Sequence, residues 1–288
     1  MKIAFLIINY NDYETTKKIL SNIKNYKIID KIVVVDNNST DDSFDKLSNI
    51  KYKNLDVIKN FENKGYSSGI NFGSKYIIDN LGDCYIIVSN PDVVIYCEDD
   101  LKKLVSSFDK ETAVVAPIIK EHEGFNRGWK IPTPIQDSLL NIIYIHRFLR
   151  PKLLFYDEQF YNNDLIEVEA VSGCFFLVDS RFLKEVNYFD ENLFLYYEEN
   201  VIAKKLQKIY KKIKINTNVE VFHNHSVTID KNINSIKKYK ELKKSQMYFQ
   251  KEYNHANLLE QILLWLTNKI TLTILYIINI RLIWRRRR

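Results

Sequence analysis

Lys31-Ile32-Val33-Val34-Val35-Asp36-Asn37-Asn38-Ser39-Thr40-Asp41-Asp42 is an apolar, β-branched run that stops at a carboxylate and passes into turn-forming residues. An unbroken apolar run of this kind predicts a strand covered on both faces, as in a parallel sheet. Asp36 then stands at the carboxyl edge of the sheet, where open α/β folds bind their ligands. There it can accept the N3 hydrogen of a uracil or thymine. The alternative is that Asp36 and the two asparagines form an Asx turn, with Thr40 or Asp41 capping the next helix.

The same pattern recurs on either side of this strand. Short β-branched runs at 2–9, 55–59, 84–89 and 113–118 alternate with helical patterns, which predicts βαβ units. Tyr13, Thr16, Ile19, Leu20 and Ile23 fall at helical spacing behind a capping Asp12. Glu98-Asp99-Asp100 suits the N-terminus of a helix near 99–108. Residues 120–165, punctuated by Gly124, Gly128, Pro132, Pro134 and Pro151, read as a long irregular segment. A strand over 168–178 follows, with Gly173 inside it where a ligand or backbone can approach. A helix after Tyr196 and strands at 213–216 and 219–222 close the domain. The fold expected over 1–230 is α/β, Rossmann-like, a mostly parallel sheet flanked by helices. Its halves meet near 118 and 119.

With 46% hydrophobic and 27% charged residues in 288, the chain has a globular composition. Of its net +6, +4 lies after Lys251, where six basic residues face two acidic ones. The body is therefore nearly neutral, which argues against a nucleic-acid partner. Cys84, Cys97 and Cys174 contain no C-x-x-C pair, so neither a disulfide framework nor a structural zinc site is expected, and a reducing compartment fits. The apolar start at Met1–Ile8 is too short for a signal-peptide core.

Residues 231–257 form a Lys-rich helical segment, expected to be a solvated face. Residues 258–288 follow as a strongly apolar helix, interrupted by Glu260, Lys269 and Arg281 and ending in Arg285–Arg288. Lys269 near its middle disfavours a span. An in-plane helix on an anionic membrane surface is the expectation, with a span or an oligomerisation helix as alternatives.

Three further segments carry chemistry. Asn60–Gly73 places three of the seven glycines, Gly65, Gly69 and Gly73, in nine residues that open a helix, so backbone amides can approach a nucleotide. It matches neither the dinucleotide fingerprint nor a P-loop. Tyr85-Ile86-Ile87-Val88-Ser89-Asn90-Pro91-Asp92 is a buried strand that Pro91 ends. Asp92 then serves either as a hard oxygen ligand for Mg²⁺ or Mn²⁺ or as a turn carboxylate. In Phe189–Asn200, aromatic residues surround Glu198 and Glu199 at a helix start. Either these carboxylates have a raised pKa and one acts as a general base, or they simply favour the helix dipole. His223 and His225 end the last strand, and one of them can complete a metal shell with Asp92.

Taken in order, Asn9-Tyr10-Asn11, Asp36-Asn37-Asn38-Ser39-Thr40-Asp41, Asn63-Lys64-Gly65-Tyr66, Ser89-Asn90-Pro91-Asp92, Val171-Ser172-Gly173-Cys174, Phe189-Asp190 with Tyr196-Tyr197-Glu198-Glu199, and Val221-Phe222-His223 resemble the family 2 glycosyltransferases of GT-A fold. The rhamnosyltransferase-like branch is the most similar, and the resemblance covers roughly residues 1 to 230.

The resemblance implies that Asp36 holds the pyrimidine base, that Asp41 supports its loop, and that Asn9, Asn11, Asn63, Gly65 and Asn90 line the nucleotide. Asp92 matches the last carboxylate of the family's Asp-x-Asp metal motif, with Asn90 at the first position and His223 as a second ligand. Glu199 matches the family's base, normally an Asp, with Glu198 beside it. The implied reaction is an inverting, Mg²⁺- or Mn²⁺-dependent transfer of a sugar from a dTDP- or UDP-sugar, dTDP-rhamnose first, to a saccharide acceptor. Trp129, Tyr144 and His146 are candidate acceptor contacts. A lipid-linked acceptor and a peripheral site on the cytoplasmic face of the cell membrane would suit the tail. A UDP-hexose transferase and a non-catalytic sugar-nucleotide-binding subunit are the alternatives. A nucleotidyltransferase is disfavoured because Asn9–Asp12 lacks a basic Gly-rich loop.

Overall fold

The structure, a computed structural model, describes residues 1–224 and 235–286, with side chains for all of these except 144, 235 and 278–286. The first half runs β1 (Lys2–Asn9), α1 (Tyr13–Ile23), β2 (Lys31–Asp36), α2 (Ser43–Ser48), β3 (Leu55–Lys59), α3 (Tyr66–Leu81), β4 (Cys84–Ser89), β5 (Val93–Val94), α4 (Glu98–Ser106) and β6 (Thr112–Glu121). The five strands expected in this half stand where the apolar runs placed them.

The second half contains β7 (Gly124–Asn126), α5 (Pro134–Leu140), α6 (Ile143–Leu154), a 3₁₀ turn (Glu158–Asn162), β8 (Leu165–Val168), β9 (Phe175–Asp179), α7 (Ser180–Glu185), α8 (Glu198–Lys208), β10 (Lys212–His223), α9 (Ser235–Glu252) and α10 (Leu258–Arg286). One sheet takes the order β3-β2-β1-β4-β9-β6-β10-β5, with β7 on β6 and β8 on β10. Strands β3, β2, β1 and β4 are parallel. Strand β9 then enters antiparallel between β4 and β6, so the second half of the sheet is mixed.

Side-chain alternation explains why both faces are buried. Ala4, Leu6 and Ile8 of β1 pack with Ile70 and Ile77 of α3, while Ile3, Phe5 and Ile7 pack with Ile19, Leu20 and Ile23 of α1. The register aligns the strand ends: Asn9 lies beside Asp36, Asp36 beside Lys59, and Ser89 beside Phe175. One edge of the sheet thus gathers the ends of β1, β2 and β4 and the start of β9.

The structure corrects four expectations. Residues 120–165 are not irregular, because α5 and α6 lie within them. Thr133 and Gln136 form a reciprocal capping box with Pro134 in the first helical turn, so this proline starts a helix where the sequence reading took it for a breaker. The expected strand 168–178 is two strands, separated by a turn at Gly173. The expected pair 213–216 and 219–222 is one strand, β10, with a register shift between Asn216 and Glu220. Helix α9 is not merely solvated, since Ser245, Gln246, Phe249 and Gln250 are buried.

Helix α10 packs against α5 and α9 with its polar residues inward. Leu264, Thr267, Asn268 and Thr271 are buried, at the spacing of one helix face, while Leu259, Ile262, Trp265, Leu266 and Ile270 are exposed. Its segment Leu258–Ile277 is long and apolar enough to cross a membrane. His225, residues 231–234 and Arg287-Arg288 lie outside the described residues, as do the side chains of Tyr144, Arg285 and Arg286.

Candidate active site

The base of the site is a hydrogen-bonded turn at the ends of β1 and β2. Asp36 is fully buried. Its carboxylate accepts from Asn9 Nδ2 (2.8 Å), from the Ser39 amide (2.9 Å) and from the Ser39 hydroxyl (2.6 Å). The Asp36 side chain thus closes its own loop three residues on, at Ser39, where an Asx turn would bond two residues on. Asn11 clamps the far side of the loop, accepting from the Thr40 amide at 2.8 Å while its own amide donates to Ser39 Oγ at 2.9 Å. Asp41 accepts from the Ser43 amide at the start of α2.

Asn37 joins this loop to the next. Its Nδ2 donates to Asn63 Oδ1 and to the Gly65 carbonyl, both at 3.1 Å, and Asn63 Oδ1 also accepts from the Gly65 amide. Gly65 has φ +106, and a Cβ there would lie 2.1 Å from the Phe194 carbonyl oxygen. Glycine is required because the start of α3 presses on the loop that leads into α8.

That loop carries the two acids. Tyr196 and Tyr197 both adopt left-handed backbone, at φ +71 and +68, immediately before α8. Such a pair of non-glycine residues is strained and persists only when its surroundings fix it. Glu198 is buried, and its Oε2 has no hydrogen-bond partner among the described residues. Glu199 is half-buried and accepts from the Gly173 amide at 3.1 Å. Burial raises the pKa of both carboxyls, and that of Glu198 stands well above the usual range because the charge of Glu199 adds to burial.

The turn before β9 links these acids to Asp92. Gly173 donates to Glu199, and the next residue, Cys174, accepts from the Asn90 amide at 2.8 Å. Tyr66, the first residue of α3, donates its hydroxyl to the Gly173 carbonyl at 2.9 Å. Burial raises this phenol well above its ordinary pKa, and the neighbouring carboxyls Glu198, Glu199 and Asp92 add to that.

Asp92 is buried, and His223 Nε2 lies 3.2 Å from its Oδ1. The antiparallel pairing of Val93 with His223 brings the two together. Burial opposes a charge on His223, but its contacts with Asp92, Cys174 and Glu121 outweigh that and raise its pKa. Among the described residues no group of three or more His, Cys, Asp and Glu side chains is arranged to hold a metal ion. Asp92 and His223 therefore offer at most two ligands. A carboxylate oxygen and an imidazole nitrogen are donors that a divalent cation such as Mg²⁺ or Mn²⁺ would accept.

Glycosyl transferase family 2 matches this chain over residues 4–186. The chain belongs to that family. It is 27% identical over 197 residues to the low-salt glycan biosynthesis hexosyltransferase Agl10 of Haloferax volcanii, across 68% of this chain and 59% of Agl10. The fold matches GalNAc-T7, whose structure holds UDP, GalNAc and Mn²⁺, with TM-score 0.59, 17% identity, 79% of this chain and 44% of that one. It also matches the mannosyltransferase PcManGT of Pyrobaculum calidifontis in complex with GDP-Man and Mn²⁺, with TM-score 0.58, 13% identity, 94% of this chain and 72% of that one. The chain spans less than two thirds of the length of Agl10 and of GalNAc-T7.

The residues expected from the sequence thus fall into two connected groups at one sheet edge. Asn9, Asn11, Asp36, Asp41, Asn63 and Gly65 form the loop group, while Asn90, Asp92, Glu198, Glu199 and His223 surround the Gly173 turn. Among the expected acceptor contacts, Trp129 donates its indole N–H to Asn200 of α8 at 2.8 Å, and His146 is exposed on α6. The sequence reading gave no role to Tyr66, which meets the Gly173 turn. It also missed Asp137, a buried carboxylate on α5 that accepts from the Tyr197 hydroxyl at 2.8 Å. Only the position of Tyr66 beside Gly65 hinted at the first, and nothing local signals the second.

Proposed function

We propose that the protein is an inverting hexosyltransferase that moves a sugar from a nucleoside diphosphate donor to a saccharide acceptor. The carrying observation is the Glu198–Glu199 pair, buried beside Tyr66 and joined through the Gly173–Cys174 turn to the strand end that bears Asp92. Family membership supports the reaction class, and the hexosyltransferase Agl10 supports the type of sugar. The UDP and GDP-Man held by the two solved neighbours support a nucleotide-sugar donor.

The division of labour follows from burial. Two adjacent carboxyls in a desolvated place do not both ionise readily. Glu198, the more buried and without a hydrogen-bond donor at Oε2, keeps the proton. Glu199, more open and held by the Gly173 amide, is the ionised partner and takes the proton from the acceptor hydroxyl. That hydroxyl attacks the anomeric carbon as the nucleoside diphosphate departs from the opposite face, which inverts the centre. A divalent cation, Mg²⁺ or Mn²⁺, held by Asp92 with His223 would supply positive charge against the departing diphosphate. The Mn²⁺ in both neighbours supports use of a divalent cation. Asn63, Gly65 and the Asp36 loop border the space for the nucleoside, with a dTDP- or UDP-sugar expected and dTDP-rhamnose first.

The inverted polarity of α10 supports a membrane partner. Leu259 is 78% exposed, Trp265 51% and Ile270 53%, and Ile135 and Leu139 of the adjoining α5 are exposed too. Apolar residues facing out and threonines facing in suit a helix lying in a bilayer interface, with Lys269 able to reach the headgroups over the Trp265 ring. An acceptor on a lipid carrier at the cytoplasmic face accords with this. In vesicle co-sedimentation, Leu259→Asp and Trp265→Asp should each weaken binding to anionic vesicles by roughly 10–100-fold, since each side chain forfeits about 1.5–3 kcal/mol of burial. Unchanged sedimentation of both variants would remove the α10 surface from the membrane contact.

Glycine at 173 is required for the acid's position. A Cβ there would lie 2.8 Å from Glu199 Oε1, the far end of a flexible side chain. Gly173→Ala should therefore leave the thermal midpoint within a few degrees and slow transfer by about tenfold or more, because displacement of a reacting group is costly. Equal rates for variant and wild type would show that this carboxylate needs no such placement.

The reaction itself is tested by release of nucleoside diphosphate from a panel of dTDP-, UDP- and GDP-sugars, with Mn²⁺, Mg²⁺ or EDTA and a membrane extract as the acceptor source. Metal-dependent release from one donor establishes the transferase and names its sugar. Silence across the panel, with nucleotide binding by calorimetry, would favour a binding subunit.

A further inference from the structure

Helices α5, α9 and α10 meet in a buried polar seam that ends at the strained turn before α8. Asp137 of α5 is at its centre. Its Oδ2 accepts from the Tyr197 hydroxyl at 2.8 Å and from Gln250 Nε2 of α9 at 2.6 Å. Gln246 Nε2 donates to the same tyrosine oxygen at 3.1 Å, and Ser245 Oγ donates to the Leu195 carbonyl at 2.7 Å. Both ends of the segment Leu195–Tyr197 are therefore tied to α9.

The seam continues away from the acids. Asn141, one turn after Asp137, accepts from Lys243 Nζ and donates to Thr267 Oγ1 of α10, while Thr271 Oγ1 donates to the Asn141 carbonyl. Asp137, Asn141, Ser245, Gln246, Gln250, Thr267 and Thr271 are all buried. Desolvation makes a buried polar network of this kind costly unless its members are paired, and pairing, here of all the named side chains except Gln246 at its Oε1, fixes one arrangement. What it fixes here is the pair of left-handed residues that aims Glu198 and Glu199 at the Gly173 turn. Tyr196 and Tyr197 have side chains that disfavour this backbone, so the turn is held from outside.

We propose that Asp137 is a positioning residue for sugar transfer: through the Tyr197 hydroxyl it holds the strained turn from which Glu198 and Glu199 project. The proposal rests on the hexosyltransferase reading. It places the contribution of α5 and α9 in the geometry of the base, with α10 bonded to the same seam.

Tyr197→Phe is the discriminating variant, because it keeps the ring packed 5.4 Å from Phe249 and removes only the hydroxyl. Tyr76→Phe is a control for loss of a tyrosine hydroxyl away from the acids. It deletes another tyrosine-to-aspartate hydrogen bond, from Tyr76 to Asp56 at 2.8 Å, on the far part of α3. With the donor that wild type uses, Tyr197→Phe should lower kcat by roughly 10–100-fold with the donor KM within about twofold, since a base displaced by about 1 Å loses rate on this scale. Tyr76→Phe should leave kcat unchanged. Asp137→Asn, which keeps an acceptor oxygen, should recover most of the kcat that Asp137→Ala loses. A Tyr197→Phe enzyme with wild-type kcat, or one that loses only donor KM, overturns the proposal while leaving the transferase intact. Absence of turnover by wild type with every donor would remove the proposal together with the reading on which it rests.

Discussion

Glu199→Gln is expected to lower the rate of sugar transfer by about 10²–10⁴-fold, the range that a positioned general base contributes. Glutamine keeps the length of the side chain and an oxygen for the Gly173 amide, so the start of α8 should stay in place and nucleotide binding should persist. The loss should appear in kcat of diphosphate release, with calorimetric affinity for the donor nucleotide little changed. Glu198→Gln should cost less than about tenfold, because a neutral amide stands in for a carboxyl that is already protonated. The pH profile provides a second check. A base is active only when deprotonated, and burial raises the pKa of Glu199. The rising limb of kcat should therefore lie above the usual carboxylate range of about 4.3. If Glu198→Gln abolishes transfer while Glu199→Gln keeps it, the roles are exchanged; if neither matters, the pair is structural.

The parts of this molecule that the sequence makes legible are those that short-range physics determines. Ile32–Val35 can only be a buried strand, and the register that puts Asn9 beside Asp36 follows once two such strands pair in parallel. Gly65 is legible as a place of close approach, although the partner, the Phe194 carbonyl, is 129 residues away and local patterning cannot name it. Pro134 misleads because proline breaks a helix interior but favours its first turn, and only Thr133 with Gln136 distinguishes the two. Gly173 is legible as a gap in a strand, but the pattern does not show that the gap admits a glutamate. Asp137 is illegible because its chemistry comes from residues 60 and 113 positions away. In α10 the apolar content is visible at once. Its inward polar face is not, because the partner of Thr267 and Thr271 is Asn141, more than 120 residues away.

Asp92→Ala should abolish metal-dependent transfer, with a loss of about 10²-fold or more, the scale on which removing one electrostatic stabiliser of a reacting group is felt. The expectation rests on how the side chain is placed. Asp92 is buried at the end of β4, its Oδ1 makes no hydrogen bond among the described residues, and His223 stands 3.2 Å from that atom. A desolvated carboxylate oxygen without a donor is costly unless a cation meets it. Burial opposes a charge on the imidazole, but its carboxylate contacts outweigh burial, so His223 supplies one positive charge there and a divalent cation would take over that role when bound. Alanine removes the Asp92 carboxylate and leaves His223 facing Glu121, whose Oε1 is 3.9 Å from its Nδ1. Titrating Mn²⁺ against diphosphate release makes the test quantitative. Wild type should saturate and lose activity in EDTA, whereas the variant should show no saturable rise at the same concentrations. His223→Ala should shift the Mn²⁺ midpoint upward by about tenfold while retaining turnover at saturation, because it removes the second ligand and keeps the carboxylate. An Asp92→Ala enzyme with the full wild-type response to Mn²⁺ would place the cation elsewhere and leave Asp92 and His223 as an ion pair that closes the strand end.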